Sequence, residues 1–216
     1  MRVEQIGNAT LYLGNCINVM KRYPDKYFDL AIVDPPYGIG QNWKKDTQSK
    51  FYKHRSSYKN DTIPSKIYFD ELFRVSSNQI IWGGNYFTQF LSPTGAWLFW
   101  DKKRSEKTFN AQGELAWTSL NIPIRIIPLR WNGFITCEPR HGVHPHEKPI
   151  ALYEWILSRC IKTESKILDT HLGSGSIAIA CHKMGLSLIA SEINTKYFNA
   201  ACKRIKEAVK QYEKDR

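Results

Sequence analysis

Short apolar runs separated by polar or amphipathic stretches recur along the chain and predict the strands of one sheet. In the run 124–133, Pro128 predicts an edge strand or a bulge, because proline has no N–H to donate to the hydrogen bonds of a central strand. The runs with the length and composition of strands are 9–15, 28–34, 78–84, 96–102, 113–120, 124–133, 166–170 and 186–191.

Helical periodicity fills most of the intervals between these runs. Helices are predicted near 16–23, over 65–75, 85–91, 149–162 and 176–184, and from about 196 onward. In the last helix, Tyr197, Ala201, Ile205 and Ala208 are expected to face inward, with the charged residues outward. Strands alternating with helices predict an α/β fold, a largely parallel sheet covered on both faces.

Length and composition favour one domain. A chain of 216 residues with 42% hydrophobic and 24% charged residues suits a globular protein with a single core. No apolar run approaches 18 residues and the first residues lack the layout of a secretory signal, so a cytoplasmic protein without a membrane span is expected. The five cysteines are scattered, which predicts neither a disulfide framework nor a zinc site.

Charge points toward a polyanionic partner. Thirty-one Lys and Arg against twenty Asp and Glu give a formal charge of +11. Residues 41–66 concentrate this excess, with aromatic residues between the cations, a composition that suits phosphate contact and base stacking. The alternative is a solvated loop. The nucleic-acid contacts predicted here are Trp43, Lys44, Lys45, Lys50, Lys53 and Arg55.

A glycine turn between a strand and a helix predicts a nucleotide-like pocket. Gly173 and Gly175 lie between the run 166–170 and the helix 176–184, and Glu192 ends the next strand nineteen residues beyond Gly173. Glycines permit close approach of the backbone to a ligand, and the acid is placed for ribose hydroxyls. The pattern leaves open a dinucleotide or another adenosine-bearing cofactor.

The stretch "DLAIVDPPYGIG" (29–40) ends a predicted strand on a carboxylate. In a parallel sheet, Asp34 would therefore face the same crevice as the glycine turn and Glu192. Pro35 and Pro36 fix the backbone and leave its carbonyls as acceptors. A carboxylate beside a fixed carbonyl suits an NH₂ group, and Tyr37 offers a face on which a heterocycle can stack.

These segments together resemble the amino-methylating DNA methyltransferases. Asp34–Tyr37 matches their D-P-P-Y motif, "HPHEKP" (144–149) resembles H-P-x-x-K-P, and "LDTHLGSGS" (168–176) resembles D-P-F-x-G-S-G-T. "SEIN" (191–194) is similar to the segment with the ribose-binding acid. The catalytic motif precedes the cofactor motif, which is the circularly permuted order of the β class.

The resemblance implies a Rossmann-like, doubly wound, mostly parallel sheet of seven strands and S-adenosyl-L-methionine as cofactor. It implies transfer of a methyl group to adenine N6 in DNA after the base has flipped out of the duplex. The implied catalytic residues are Asp34, Pro35, Pro36 and Tyr37. The implied cofactor residues are Asn15, Asp34, Lys148, Asp169, His171, Gly173, Ser174, Gly175, Glu192 and Asn194.

Several alternatives stay open at this point. Cytosine N4 presents the same amine geometry, RNA or a free nucleobase can present it too, and a nucleic-acid-binding protein can keep the pocket without catalysis. His141, His144 and His146 alternate, but no acid or cysteine lies at ligand spacing, so no metal is predicted. Within a single domain, 41–66 and about 101–143 remain for target recognition, or a homodimer supplies further surface.

Overall fold

The computed structural model describes residues 1–39, 61–107, 110–132, 135–161 and 164–215. The predicted nucleic-acid contacts between Trp43 and Arg55 lie outside these residues. Eleven strands are present in the described part of the chain: β1 (Arg2–Ile6), β2 (Ala9–Leu13), β3 (Phe28–Val33), β4 (Ser76–Trp82), β5 (Trp97–Asp101), β6 (Gly113–Thr118), β7 (Arg125–Pro128), β8 (Trp131–Asn132), β9 (Ile135–Thr136), β10 (Lys166–Asp169) and β11 (Ser187–Glu192).

Five α-helices accompany these strands within the same described ranges. The predicted helix over 85–91 is wrong, because that segment forms only a 3₁₀ turn at Gly84–Tyr86 after the left-handed Gly83. The helices are α1 (Cys16–Met20), α2 (Lys66–Val75), α3 (Ile150–Cys160), α4 (Ser176–Lys183) and α5 (Thr195–Lys214).

Nine of the described strands form one mixed sheet in the order β1-β2-β11-β10-β3-β4-β6-β5-β7. Five neighbouring pairs are parallel and three are antiparallel, so the sheet is mostly parallel as predicted. The expected count of seven strands is wrong. The sheet gains β1, an edge strand that no prediction covered, because β1 pairs antiparallel with β2 through the turn at Gly7.

The middle of the chain belongs partly to this sheet. Strands β6 and β7 fall inside the segment 101–143 that the sequence assigned to target recognition. They lie on either side of β5 and do not pair with each other. β7, which ends at Pro128, is the edge strand, as the proline predicted. DNA contact by the remainder of 101–143 stays a prediction.

The sheet is covered on both faces because its central strands are apolar on both faces. On β3, Leu30 and Ile32 join one core cluster, while Ala31 and Val33 join the other. Helices α3, α4 and α5 contribute to the first cluster, and α1 and α2 to the second. This is the doubly wound arrangement that buried parallel strands require. It brings the carboxyl ends of β3, β10 and β11 to one edge.

Candidate active site

Three carboxylates meet at the carboxyl edge of the sheet. Asp34 directly follows β3, Asp169 ends β10 and Glu192 ends β11, and these strands lie close together in the sheet. Burial raises the pKa of Asp169 to about 7, and the negative charges of Asp34 and Glu192 add to that rise. The three strand-end acids therefore lie at one edge of the sheet, and a crevice shared by Asp34, the glycine turn and Glu192 stays a prediction.

The carboxylate of Asp34 has a donor on each oxygen. The Tyr37 hydroxyl donates to Oδ1 at 2.7 Å, and the ammonium of Lys148 bonds to Oδ2. Lys148 lies in the predicted H-P-x-x-K-P segment, with its side chain only 5% exposed. Each carboxylate oxygen still has lone-pair capacity for a further donor. The structure thus pairs Lys148 with Asp34, and the role of Lys148 as a cofactor residue stays a prediction.

Two further charged residues extend this contact. Glu114 at the start of β6 lies 3.2 Å from Lys148 Nζ through its Oε2 atom, and its Oε1 atom bonds to Lys102. Burial by itself lowers the pKa of Lys148, but the carboxylates of Asp34 and Glu114 hold that pKa above its ordinary value. Lys102, Glu114, Lys148 and Asp34 form an alternating chain of charges, named the charge chain below.

The ring of Tyr37 is held by the segment after β4. Tyr86 stacks on it with ring centroids 5.2 Å apart, and Phe87 meets it edge-on at 6.1 Å. A Cβ on Gly83 would lie 2.2 Å from the Tyr37 ring, and Gly83 has φ +69°. The segment 82–87 therefore makes a turn and also borders the site. Stacking of Tyr37 on a nucleobase stays a prediction.

A cavity of about 220 Å³ adjoins this centre. It brings together Asn15, Pro36, His171 and Glu192, which the sequence proposed for one site, with apolar walls that include Ile193. An adenosyl group can bind a site that offers a carboxylate for its ribose hydroxyls, an amide for polar contacts and apolar walls. Glu192, Asn15 and the apolar side chains supply these groups. The residues present therefore fit an adenosine-bearing cofactor.

The polar groups of this cavity are ordered by the backbone. Glu192 accepts from the Gly173 N–H at 3.1 Å and the Asn194 N–H at 2.8 Å. The side-chain oxygens of Asn15 and Asn194 cap helices α1 and α5, respectively. Such capping bonds hold the two asparagine side chains in place. Cofactor contacts by both asparagines stay predictions.

The glycine turn has two physical reasons for its glycines. Gly173 and Gly175 have φ of +53° and +80°, in the left-handed region that favours glycine. A Cβ on Gly175 would also lie 2.7 Å from the side chain of Ile205, so α5 packs directly against the turn. At Gly175 the close approach of the backbone that requires glycine is therefore to helix α5.

The sequence profile of the DNA methylase family N6_N4_Mtase matches residues 96–203, half of the chain. The chain belongs to this DNA methylase family. The match takes in β5 and β6, the H-P-x-x-K-P segment and the glycine turn. The protein is therefore a DNA methyltransferase, and S-adenosylmethionine is its cofactor. The permuted order of the β class stays a prediction.

Individual relatives agree with this membership. The methylase is 24% identical to the type II methyltransferase M.HpaI of Haemophilus parainfluenzae over 90% of this chain and 73% of that protein. It is 20% identical to M.ScaI of Streptomyces caespitosus, a second type II methyltransferase, over 93% of this chain and 82% of that one.

Solved structures share the fold. The M1.HpyAVI–SAM complex superposes with a TM-score of 0.59 at 16% identity, over 91% of this chain and 99% of that one. The cytosine-N4-specific PvuII DNA methyltransferase superposes with a TM-score of 0.62 at 11% identity, over 96% and 93%. At these identities the likeness shows the Rossmann-like methyltransferase fold and says nothing about the target base.

Two histidines, His144 and His171, are partly buried near the site. His171 shares a hydrogen-bonded pair with Thr170 Oγ1 at 2.9 Å, and burial lowers its pKa to about 4. His144 packs edge-on against Tyr197, and burial lowers its pKa to about 4 as well. Within the described ranges, no group of three or more His, Cys, Asp or Glu residues could hold a metal ion. Nor does any described helix combine the length and apolarity needed to cross a membrane.

Sequence reasoning missed Lys102, Glu114 and Arg204. Lys102 and Glu114 belong to no motif and meet the site only through the pairing of β5 with β6. Arg204 is 6% exposed, which overturns the expectation that every charge of the last helix faces outward. Its spacing carried a signal, because Arg204 lies seven residues after Tyr197 and three after Ala201, on the inward stripe.

Proposed function

We propose that this methylase transfers a methyl group from S-adenosylmethionine to the N6 amine of adenine in DNA. Asp34–Tyr37 is the proposed amine-binding centre, and the cavity with Asn15 and Glu192 is the proposed adenosyl site. The single observation that carries the proposal is the position of Asp34: its carboxylate stands at the carboxyl edge of β3, while Pro36, two residues on, lines the cavity.

The residues of the centre divide the work of amine recognition. Asp34 and the Pro35 carbonyl accept the two amine hydrogens, which favours the pyramidal, nucleophilic form of the nitrogen. The Tyr37 hydroxyl at 2.7 Å and the Lys148 ammonium fix the Asp34 carboxylate before the base arrives. Because these groups are already in place, no reorganisation energy is needed at the moment of reaction.

Charge develops on the amine nitrogen during the transfer. When bound, S-adenosylmethionine supplies an electrophilic methyl group on a sulfonium. As the nitrogen becomes cationic, the carboxylate of Asp34 stabilises it. Glu114 contacts both Lys102 and Lys148, so it offsets only part of the ammonium charge that faces Asp34.

The choice of adenine rests on the first residue of the motif. The methylase has Asp34 where the cytosine-N4 enzymes of the resembling family usually have serine. Cytosine N4 is the alternative target, since the same pair of acceptors holds that amine equally well.

DNA contact is proposed for 41–66 and for the parts of 101–143 outside the main sheet. The chain forms one proposed domain, so these segments, or a second copy in a homodimer, supply the target-reading surface. An amine inside a duplex cannot reach the crevice, and the base is therefore proposed to flip out.

The test is direct product analysis. Purified methylase, labelled S-adenosylmethionine and unmethylated bacterial genomic DNA are incubated, and the DNA is hydrolysed to nucleosides for mass spectrometry. N6-methyladenine supports the proposal, and N4-methylcytosine establishes the alternative base. 5-Methylcytosine rejects the mechanism. Cofactor binding without product, on DNA and on RNA, establishes a non-catalytic pocket.

A further inference from the structure

The guanidinium of Arg204 is buried beneath the glycine turn. Its Nη1 atom donates to the Ser174 carbonyl at 2.9 Å and to Ser176 Oγ at 2.9 Å. The next residue of α5 is Ile205, the side chain that a Cβ on Gly175 would strike. Arg204 and Ile205 therefore form the surface on which the turn rests.

A second arm of Arg204 reaches the H-P-x-x-K-P segment. Its Nη2 atom lies 3.5 Å from Glu147 Oε1, and the Glu147 side chain is fully buried. The Glu147 carboxylate in turn accepts from the N–H groups of His141 at 3.2 Å and Gly142 at 3.1 Å. The chain before Lys148 is thus tied to the same guanidinium.

Ser176 closes the connection between the two segments. Its hydroxyl accepts from Arg204 and donates to the Lys148 carbonyl at 2.7 Å. One buried side chain on α5 therefore holds the glycine turn against the backbone of Lys148. The Lys148 side chain then reaches Asp34 at the proposed amine-binding centre.

Burial of the Arg204 guanidinium reduces the stability of the folded protein. Burial lowers the pKa of Arg204, and the charge of Glu147 offsets part of that effect. The Nε and Nη2 atoms of Arg204 have no hydrogen-bond partner among the described residues. Buried ion pairs are often replaceable by apolar residues without loss of stability. Stability alone is therefore a weak reason for an arginine here.

We infer that Arg204 is a positioning residue for cofactor binding: it sets the conformation of the glycine turn relative to the Lys148 segment. The inference rests on the proposed function only in taking the turn as part of the cofactor site. Loss of the guanidinium should weaken binding of S-adenosylmethionine in the absence of DNA.

The experiment is isothermal titration of S-adenosylmethionine into wild-type methylase, Arg204→Met and Arg204→Lys. Arg204→Met keeps the aliphatic stem and should raise Kd about tenfold or more, a loss typical of mispositioned binding groups. Arg204→Lys keeps the charge but loses the fork, and its Kd should fall between the two. Lys203→Met is the matched control, because Lys203 is the adjacent residue and 78% of its side chain is exposed.

Circular dichroism and thermal melting accompany each titration. A folded Arg204→Met that binds within twofold of wild type overturns the inference, even when its melting temperature falls. If Arg204→Met does not fold, a folded Arg204→Lys with wild-type affinity overturns it instead. A wild-type methylase that fails to bind S-adenosylmethionine overturns the cofactor assignment itself, which is a separate result.

Discussion

The ammonium of Lys148 bonds to the carboxylate of Asp34, 114 residues earlier in the chain. Asp34 follows β3 and Lys148 precedes α3, so the contact joins the proposed amine-binding motif to the H-P-x-x-K-P segment. It also connects Asp34 to Glu114 and Lys102 through the charge chain. The amine-binding centre is thus part of an ionic network of two buried lysines and two partly buried carboxylates.

Replacing Asp34 should separate catalysis from cofactor binding. Asp34→Asn keeps the shape but removes the charge that stabilises the cationic nitrogen, so turnover should fall by about 10²-fold or more, the range found when a preorganised electrostatic group is lost. Asp34→Ala should abolish turnover. Affinity for S-adenosylmethionine should stay within threefold of wild type by titration. Full activity of Asp34→Ala on genomic DNA would remove Asp34 from the centre.

Glu114→Gln should destabilise the fold. The substitution leaves the ammonium groups of Lys102 and Lys148 facing an uncharged amide. Because the Glu114 side chain is 25% exposed, the loss should lie below the roughly 3–5 kcal/mol that removal of one partner of a fully buried pair costs. Urea denaturation should show a lower free energy of unfolding. The double variant Lys102→Met/Glu114→Gln restores neutrality of the charge chain and should recover part of the loss. Equal stability of the single and double variants would contradict this account.

Gly83→Ala should displace the Tyr37 ring. Its Cβ would lie 2.2 Å from that ring, and the residue would also adopt φ +69°. Gly185→Ala is the matched control, since Gly185 has φ +71° with nothing within 4 Å of the added Cβ. Both variants carry the backbone strain of about 1–2 kcal/mol, and Gly83→Ala alone carries the clash. Turnover should fall in Gly83→Ala and persist in Gly185→Ala. Equal turnover would show that the position of Tyr37 is unimportant.

His171 should make the fold sensitive to acid. Burial lowers its pKa to about 4 from 6.5, so between these values the unfolded chain binds a proton that the folded chain does not. The stabilisation is complete above pH 6.5 and is lost as pH falls toward 4, by about 2 kcal/mol at pH 5. His171→Phe removes this group, so its unfolding free energy should fall less than that of wild type between pH 7 and 5. Parallel curves would contradict the assignment.

Asp169 should act in the opposite direction over part of this range. Its pKa rises to about 7 from 3.8, so the folded chain binds more protons than the unfolded chain between these values, and stability falls as pH rises through them. The two groups therefore offset each other in wild type. Comparison of each variant with wild type across pH, rather than the wild-type curve alone, separates them. Asp169→Asn should flatten the decline toward pH 7.

Local patterns in the sequence predicted much of the fold because their causes are local. Apolar runs predicted most strands, Pro128 predicted the edge position of β7, and the run 166–192 predicted the strand, turn, helix and second strand around Gly173. The carboxyl-end rule for parallel sheets then predicted that Asp34 lies at the same edge as the glycine turn and Glu192. Motif resemblance supplied the family.

Other features depend on contacts between segments that no local pattern encodes. β1 lacked a distinctive pattern because an edge strand buries little, and most of its residues are partly or fully exposed. The short helix expected at 85–91 gave way to a turn that supports Tyr37. The partners of Lys148 and Arg204 are carboxylates that reach them only after β5, β6 and α5 have packed.

The sequence by itself determined most of the strands, the glycine turn and the acid-terminated strand ends, because periodicity and backbone conformation act over a few residues. Tertiary structure alone decided that Lys148 meets Asp34, that Glu114 joins them and that Arg204 lies under the turn. Charges become partners according to where packing buries them, and burial is a property of the whole sheet and its two layers of helices.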